Sequence, residues 1–259
     1  MTKIEAFILG IIQGFTEFLP ISSTGHLFLG RNLFGLNEAG LFLDTMLHVG
    51  TLLAILVVYK HEFIYILKNP ISKRTFLLIV GTIPAVVIGL AFKDFFEEIS
   101  DTGVTIGWEF LVTGMFLWFA DNIKNGYKKM DDITYTDAFF IGTFQAAAIL
   151  PAISRSGLTI VAALIRKLDR ETAAYFSFLL STPAIAGALL LQSVDLFNGS
   201  VENVSLSALG VALASSAVFG YIAVKWMIAY LKKHSLKVFA VYVWGLGVLV
   251  ICLQWTGVF

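Results

Sequence analysis

Pro20-Ile21-Ser22-Ser23-Thr24-Gly25 splits an apolar run into two pieces, Ile4–Leu19 and Thr24–Leu36. Pro151-Ala152-Ile153-Ser154-Arg155-Ser156-Gly157 does the same between Tyr135–Leu150 and Ser156–Ile165. None of the four pieces can cross a membrane. At 1.5 Å per residue, about sixteen residues reach about 24 Å, short of a hydrocarbon core of about 30 Å. Two short helices joined by a polar turn predict a re-entrant hairpin, one that enters the apolar layer and turns back. Non-helical backbone survives at that depth only where protein buries it or a water-filled cavity meets it.

Composition says what surrounds these breaks. Of the 259 residues, 58% are hydrophobic and 14% charged, with a mean hydropathy of +0.83, whereas a soluble domain carries about 25% charged residues. This excludes a soluble domain and predicts one all-α integral membrane domain over 1–259. Six stretches approach the length of a full crossing: Leu41–Tyr59, Phe76–Phe92, Ile106–Ile123, Ala173–Leu191, Leu206–Leu231 and Val238–Trp255. Basic and acidic residues balance at 18 each, so no global field draws nucleic acid. The lone Cys252 excludes an intrachain disulfide and a cysteine-built metal cluster. Lys3 and Glu5 flank a short apolar run with no small-residue cleavage site after it, so no cleavable signal is expected.

Loop charges orient the chain. Lys60, Lys68, Lys73 and Arg74 put the loop after the first long stretch in the cytoplasm, as do Lys124, Lys128 and Lys129, then Arg166, Lys167 and Arg170, then Lys232, Lys233 and Lys237. Between them, Asp94, Glu97, Glu98 and Asp101 face only Lys93, and Asp195–Glu202 holds no basic residue, so these loops lie outside. Both termini come out extracytoplasmic in a plasma-membrane protein. The first hairpin enters from outside and the second from inside.

The chain also matches itself. A shift of 132 residues lays Ala6, Phe7, Gly10 and Gln13 on Ala138, Phe139, Gly142 and Gln145, and Ile21, Ser22 and Gly25 on Ile153, Ser154 and Gly157. Small loop differences then bring Glu38 to Glu171, Gly89 to Gly220 and Gly114 to Gly245. The first repeat is 1–125 with its hairpin at 4–36, and the second is 126–259 with its hairpin at 135–165. Each has a hairpin plus three transmembrane helices. An odd number of crossings inverts the second copy, the inverted-topology repeat of many transporters, and the hairpins should meet tip to tip. The copies differ where chemistry resides: Glu17 faces Ile149, Ser23 faces Arg155 and His26 faces Leu158.

At the tips, Ser22 or Ser23 can cap one helix and Ser154 or Ser156 the other. Both helix N-termini would then present free N–H groups and positive dipole ends to one space, an anion site. Arg155 adds a planar fork of donors suited to phosphate, and Gly25 and Gly157 allow close approach of the backbone. A phosphate-bearing lipid is the expected ligand. His26 lies one turn after the serines, where it can act as base or acid. Glu17 can serve the chemistry or simply neutralise Arg155. Asp44 and His48, four apart on the first long stretch, form a weaker polar pair expected to support the site from behind. His61 and His234 sit among lysines and are expected to be solvated.

The segment from Gln13 through Glu17 and Ser23 to His26, with that from Pro151 through Arg155 to Gly157, closely resembles the two signature motifs of the undecaprenyl-diphosphate phosphatase family, the bacitracin-resistance type. The resemblance covers nearly the whole chain. It implies an integral membrane enzyme that removes one phosphate from a C55 polyprenyl diphosphate and so recycles the carrier lipid for cell-wall synthesis. By the same resemblance Gln13 and Glu17 fill a Glu/Gln-x-x-x-Glu element, and Ser23, His26 and Arg155 take the family's serine, histidine and arginine. These imply catalytic Glu17, Ser23, His26 and Arg155, with Gln13, Ser22, Thr24, Gly25, Ser154, Ser156 and Gly157 binding substrate. Ala152 departs from the family, which usually has glycine after the proline. A divalent cation, Mg²⁺ or Ca²⁺, is implied by resemblance alone, since the sequence carries no metal-ligand signature.

Two mechanisms stay open: attack by Ser23 through a phosphoserine, or direct attack by a water that Glu17 or His26 activates. The rival function is a secondary transporter or polyprenyl-phosphate flippase; a third is a sensor, which has little need of His26 beside Ser23. The partners are the membrane and the lipid diphosphate, with a homodimer left open. The active site should face outward. Cysteines replacing Lys3 and Phe259, in a chain lacking Cys252, should react with an impermeant thiol reagent in intact cells, and one replacing Lys129 should stay protected. The reverse pattern would overturn this topology.

Overall fold

The computed structural model describes residues 1–36, 41–124, 126–198 and 205–257, and among these all the long elements are helices. In chain order they are α1 (Lys3–Phe18), α2 (Ser23–Leu33), α3 (Leu41–Val58), α4 (Lys60–Lys68), α5 (Lys73–Ala91), α6 (Lys93–Thr102), α7 (Ile106–Ala120), α8 (Tyr135–Ala147), α9 (Arg155–Ile165), α10 (Arg170–Asn198), α11 (Leu206–Leu231) and α12 (Lys237–Trp255). Glu38, the side chains of Asp101 and the Asp195–Glu202 loop, and Phe259 lie outside the described part.

Four helices, α5, α10, α11 and α12, are long and apolar enough to cross a membrane, and α3 with α4 makes a fifth candidate bent by 80°. This is a multi-pass membrane protein. Two of the expected spans differ. The stretch Leu41–Tyr59 ends at Val58, and the chain turns into α4, whose cations Lys60 and Lys68 share the helix with exposed Ile64 and Leu67. Sequence charges alone mark that segment as a loop. The stretch Ile106–Ile123 yields a helix of only 15 residues. It stops because Asp121 is drawn into a polar lock, accepting from Arg170 Nη2 at 3.0 Å, Ser235 Oγ at 2.8 Å and Leu236 N at 3.2 Å. Burial alone would raise the Asp121 carboxyl, and these bonds from Ser235 and Arg170 outweigh it, holding it below the usual carboxylate range. The acidic segment at Lys93 is likewise helical, as α6.

Capping side chains start the short helices. Thr2 with Glu5 begins α1 and Thr134 with Asp137 begins α8, each as a capping box. Asp137, fully buried, also pairs with Lys128 and Arg166 and so ties the base of the second hairpin to the loops beside it. Helix α1 lies along α11, which also packs on α3; α8 lies along α5, and α7 along α12. Small residues permit this closeness, as in membrane helix packing generally. A Cβ on Gly10 would stand 2.8 Å from the carbonyl oxygen of Ala212 on α11, and one on Gly142 would collide with that of Gly81 on α5. The aromatic pair Phe18–Phe178, with ring centroids 5.5 Å apart, fills the space beneath the first hairpin.

The two hairpins meet at their tips through a reciprocal pair of bonds. Ser22 Oγ donates to the carbonyl of Pro151 at 2.8 Å, and Ser156 Oγ donates to that of Leu19 at 3.0 Å. Helix α7 clamps the second tip from the side. Glu109 Oε2 accepts the backbone N–H of Ala152 at 2.5 Å, while Thr113 Oγ1 donates to Ala152 O at 3.2 Å and accepts from Ser154 N at 3.1 Å. Broken backbone in an apolar setting is thereby supplied with partners, as it must be.

Candidate active site

Each half of the site begins at a helix start. Ser22 caps α2, accepting from Gly25 N at 3.3 Å, and Ser154 caps α9, accepting from Gly157 N at 3.1 Å. Ser23 and Arg155 are therefore the first residues of the two helices. Ser22 holds φ at +70°, a conformation that costs a residue other than glycine about 1–3 kcal/mol. Bonds on several sides offset it: its hydroxyl reaches Gly25 N and Pro151 O, and its carbonyl accepts from His26 Nδ1 at 2.6 Å.

Between the tips lies a cavity of about 190 Å³, space for about six waters at roughly 30 Å³ each. Glu17, Ser22, Ser23, Thr24, Ser154, Arg155 and Ser156 line it, as does His48; α10 supplies an apolar wall of Ala184, Ile185, Ala188 and Leu189 ending at Gln192. First-turn amides of α2 and α9 have no acceptor within their own helices, so two positive helix ends converge on the same space.

Glu17 is the centre of the network. Its Oε1 forms a short ion pair with Arg155 Nη2. Its Oε2 accepts from Ser23 Oγ at 2.6 Å and from Gln13 Nε2 at 3.0 Å. The other arm of the guanidinium, Nη1, is buried with no hydrogen-bond partner. The Ser23 hydroxyl gives its hydrogen to Glu17, which leaves its oxygen lone pairs directed elsewhere.

Four of the expected residues do not line the cavity. Gln13 sits behind Glu17. Gly25 faces protein, since a Cβ there would stand 2.6 Å from the ring of Phe110 and 3.1 Å from Ala152. Gly157 packs on its own cap, with Ser154 3.1 Å from where its Cβ would be. His26 turns away: Nδ1 holds the Ser22 carbonyl, and Nε2 meets Tyr242 Oη at 2.9 Å, on which the ring also stacks. The imidazole beside Glu17 is His48, whose Nε2 is 3.8 Å from Oε2. His61 and His234 are exposed. Sequence reasoning passed over Glu109 and Thr113, although a carboxylate inside the apolar stretch Ile106–Ile123 was a legible signal.

The donors around Glu17 do not build a resident divalent-cation site. Among the described residues Glu17 is the one carboxylate on the cavity, it is already matched by Arg155, and no group of three His, Cys, Asp or Glu side chains suited to a metal occurs. Calcium asks for six to eight oxygen ligands.

Fold and site together define a multi-pass helical membrane protein with a polar cavity, lined by an arginine and by the starts of two helices, held between two helical hairpins. The family model described as bacitracin resistance protein BacA matches residues 6–249, and the chain belongs to that family. It is 75% identical to undecaprenyl-diphosphatase 4 of Bacillus cereus (strain ZK / E33L) over 259 residues, all of both chains. It is 47% identical to the undecaprenyl-diphosphatase of Carboxydothermus hydrogenoformans, again over the whole of both. With that of Halothermothrix orenii it shares 40% identity over 98% of each.

Proposed function

We propose that this chain is a membrane phosphatase that hydrolyses undecaprenyl diphosphate to the monophosphate and phosphate, returning the carrier lipid to cell-wall synthesis and conferring bacitracin resistance. The family and the names of its relatives support the reaction. The observation that carries it in this chain is the unpartnered Nη1 of Arg155, buried at a cavity where two helix N-termini meet. A guanidinium with one arm on Glu17 and one arm vacant is set for a phosphate oxygen.

In this reading Arg155 and the first-turn amides of α2 and α9 bind the terminal phosphate and neutralise the charge that builds on it. Ser23 Oγ attacks the terminal phosphorus, the bridging P–O bond breaks, and the lipid monophosphate leaves with the electron pair. Water then hydrolyses the phosphoserine. Glu17 orients the Ser23 hydroxyl, Gln13 steadies Glu17, and His26 steadies the strained Ser22 turn from behind. Thr24, Ser154 and Ser156 complete the polar wall. Mg²⁺ or Ca²⁺ enters this account as a companion of the diphosphate rather than a group the chain keeps.

The halves form an inverted repeat in this proposal. Equivalent contacts support it: the aligned glycines Gly10 and Gly142 approach Ala212 and Gly81, which occupy matching places on α11 and α5, each the second long helix after its hairpin. The cavity opens outward in this reading, supported by Gln192 in its lining, which in sequence just precedes the stretch Asp195–Glu202 that holds no basic residue. The cations Lys128, Lys129, Arg166, Arg170 and Lys232 are spent on acidic partners among the loops assigned to the cytoplasm. Both hairpins come from one chain, which supports a site built within a single protomer.

The test is phosphate release from polyprenyl diphosphate by the purified chain in detergent. The unaltered chain should turn over. Ser23→Ala should lose nearly all turnover and its acid-trapped phosphoserine. Ser22→Ala loses both a cap and the bond to Pro151, about 1 kcal/mol of stability each, and should still form the trapped phosphoserine. Arg155→Lys keeps the charge but loses the fork, and its rate should fall on the order of a hundredfold, the scale of one lost transition-state donor. Strong residual hydrolysis in Ser23→Ala would move the attack to water, and no release by the unaltered chain would contradict the phosphatase.

A further inference from the structure

The proton lost in the reaction needs a destination, and the residues named so far offer a poor one. Both oxygens of Glu17 already accept hydrogen bonds, from Arg155, Ser23 and Gln13. Both ring nitrogens of His26 are engaged away from the cavity, by Ser22 and Tyr242. His48 differs from both. Its Nδ1 lies 2.8 Å from the carbonyl oxygen of Asp44, one turn earlier on α3. A carbonyl only accepts, so Nδ1 carries the hydrogen and the neutral ring leaves its acceptor lone pair on Nε2. That nitrogen stands 3.8 Å from Glu17 Oε2, the oxygen that accepts the Ser23 hydrogen, and His48 lines the cavity.

We infer that His48 is the proton acceptor of this site, taking at Nε2 the proton that the attacking hydroxyl loses. The inference rests on the phosphatase reading and adds a residue to it. As Ser23 Oγ bonds to the terminal phosphorus and the bridging P–O bond breaks, the hydroxyl proton passes by way of Glu17 Oε2 to Nε2. In the second half a water oxygen bonds to phosphorus and the Oγ–P bond breaks. Oγ recovers the proton held on His48; one water proton stays on the released phosphate and the other leaves through the cavity. The same Nε2 serves if water attacks directly.

The groups around His48 leave its Nε2 facing Glu17. On the cavity the titratable neighbours are Glu17 from α1 and Arg155 from α9, already paired with each other. On its own helix Asp44 pairs with Arg31 of α2 at 2.7 Å. From α10 the cavity wall brings apolar groups and the neutral Gln192, and from α11 Ser216 donates to Leu47 O at 2.7 Å. Nε2 itself faces Glu17 Oε2, the oxygen that links it to the Ser23 hydroxyl.

The experiment measures kcat and KM for phosphate release from polyprenyl diphosphate between pH 5 and 9, using the full chain in detergent. His48→Gln, which keeps a polar side chain of similar reach, should lower kcat on the order of a hundredfold, the lower end of general acid–base catalysis, and change KM far less. It should also remove the limb of the kcat profile that a histidine creates between pH 5 and 8. His48→Ala should regain rate when imidazole is added, in a saturable way. His26→Gln should keep the pH limb whatever it does to the rate. A His48→Gln enzyme with the wild-type kcat and pH profile would overturn the inference and leave the phosphatase standing. So would a loss that keeps the limb and that imidazole does not restore. No release by the unaltered chain at any pH would overturn both.

Discussion

One buried ion pair joins the two hairpins of this molecule, Glu17 of the first with Arg155 of the second. Their side chains are only 5% and 17% exposed, and each charge taken from water alone would cost several kcal/mol. The pair survives because its geometry is close and because Gln13 and Ser23 satisfy the second carboxylate oxygen. Everything else at the centre is arranged to bring these two groups together. Ser22 and Ser156 fasten the tips to each other, the strained Ser22 turn aims Ser23 at Glu17, and Ser154 starts the helix that carries Arg155. What the pair leaves over is as informative as what it joins. A carboxylate needs only part of a guanidinium, and Nη1, left without a partner, is the arm that the proposed function gives to phosphate.

The hairpins could not stand in an apolar layer without the helices around them. Broken backbone there loses its hydrogen bonds to nothing, and α7 answers with Glu109 and Thr113 on the Pro151–Ser154 turn. This explains why a buried carboxylate is tolerated in the first turn of that helix and what holds Ala152 in the turn of the second hairpin. Its amide is held by Glu109, and its methyl packs in the gap that Gly25 leaves. Glycines at Gly10 and Gly142 let α1 and α8 sink onto α11 and α5, which fixes how deep the tips reach. Rigidity of the scaffold thus passes to the site through backbone contacts as much as through side chains.

Much of this was legible in the sequence, because the signals are local. Hairpin helices were expected at Ile4–Leu19 and Tyr135–Leu150 and occur as Lys3–Phe18 and Tyr135–Ala147; a proline followed by capping serines marks such a break within the segment itself. The meeting of Glu17 with Ser23 and Arg155 followed from the two breaks lying opposite each other. Other features depend on rotation and long-range fit, which a single sequence does not carry. Asp44 and His48 were visible as a polar pair on one face of α3, yet which of them meets Glu17 is set by how α3 rolls against α1. His26 shares a helix start with Ser23, and only the packing of α12 shows that its ring leaves for Tyr242. Helices α4 and α6 were hidden because their charges read as loop, although their apolar residues recur at helical spacing.

A double-mutant cycle tests the central claim most directly, that one pair across the hairpins holds the site. Glu17→Gln, Arg155→Gln and the double variant would be compared with the unaltered chain for unfolding free energy in detergent. A buried charge stripped of its partner is strongly destabilising, by about 3–5 kcal/mol, so each single change should be severe and the double much milder than their sum. The account predicts a coupling energy in the upper part of the range of about 0.5–3 kcal/mol found within one network. Additive effects, with coupling near zero, would contradict it.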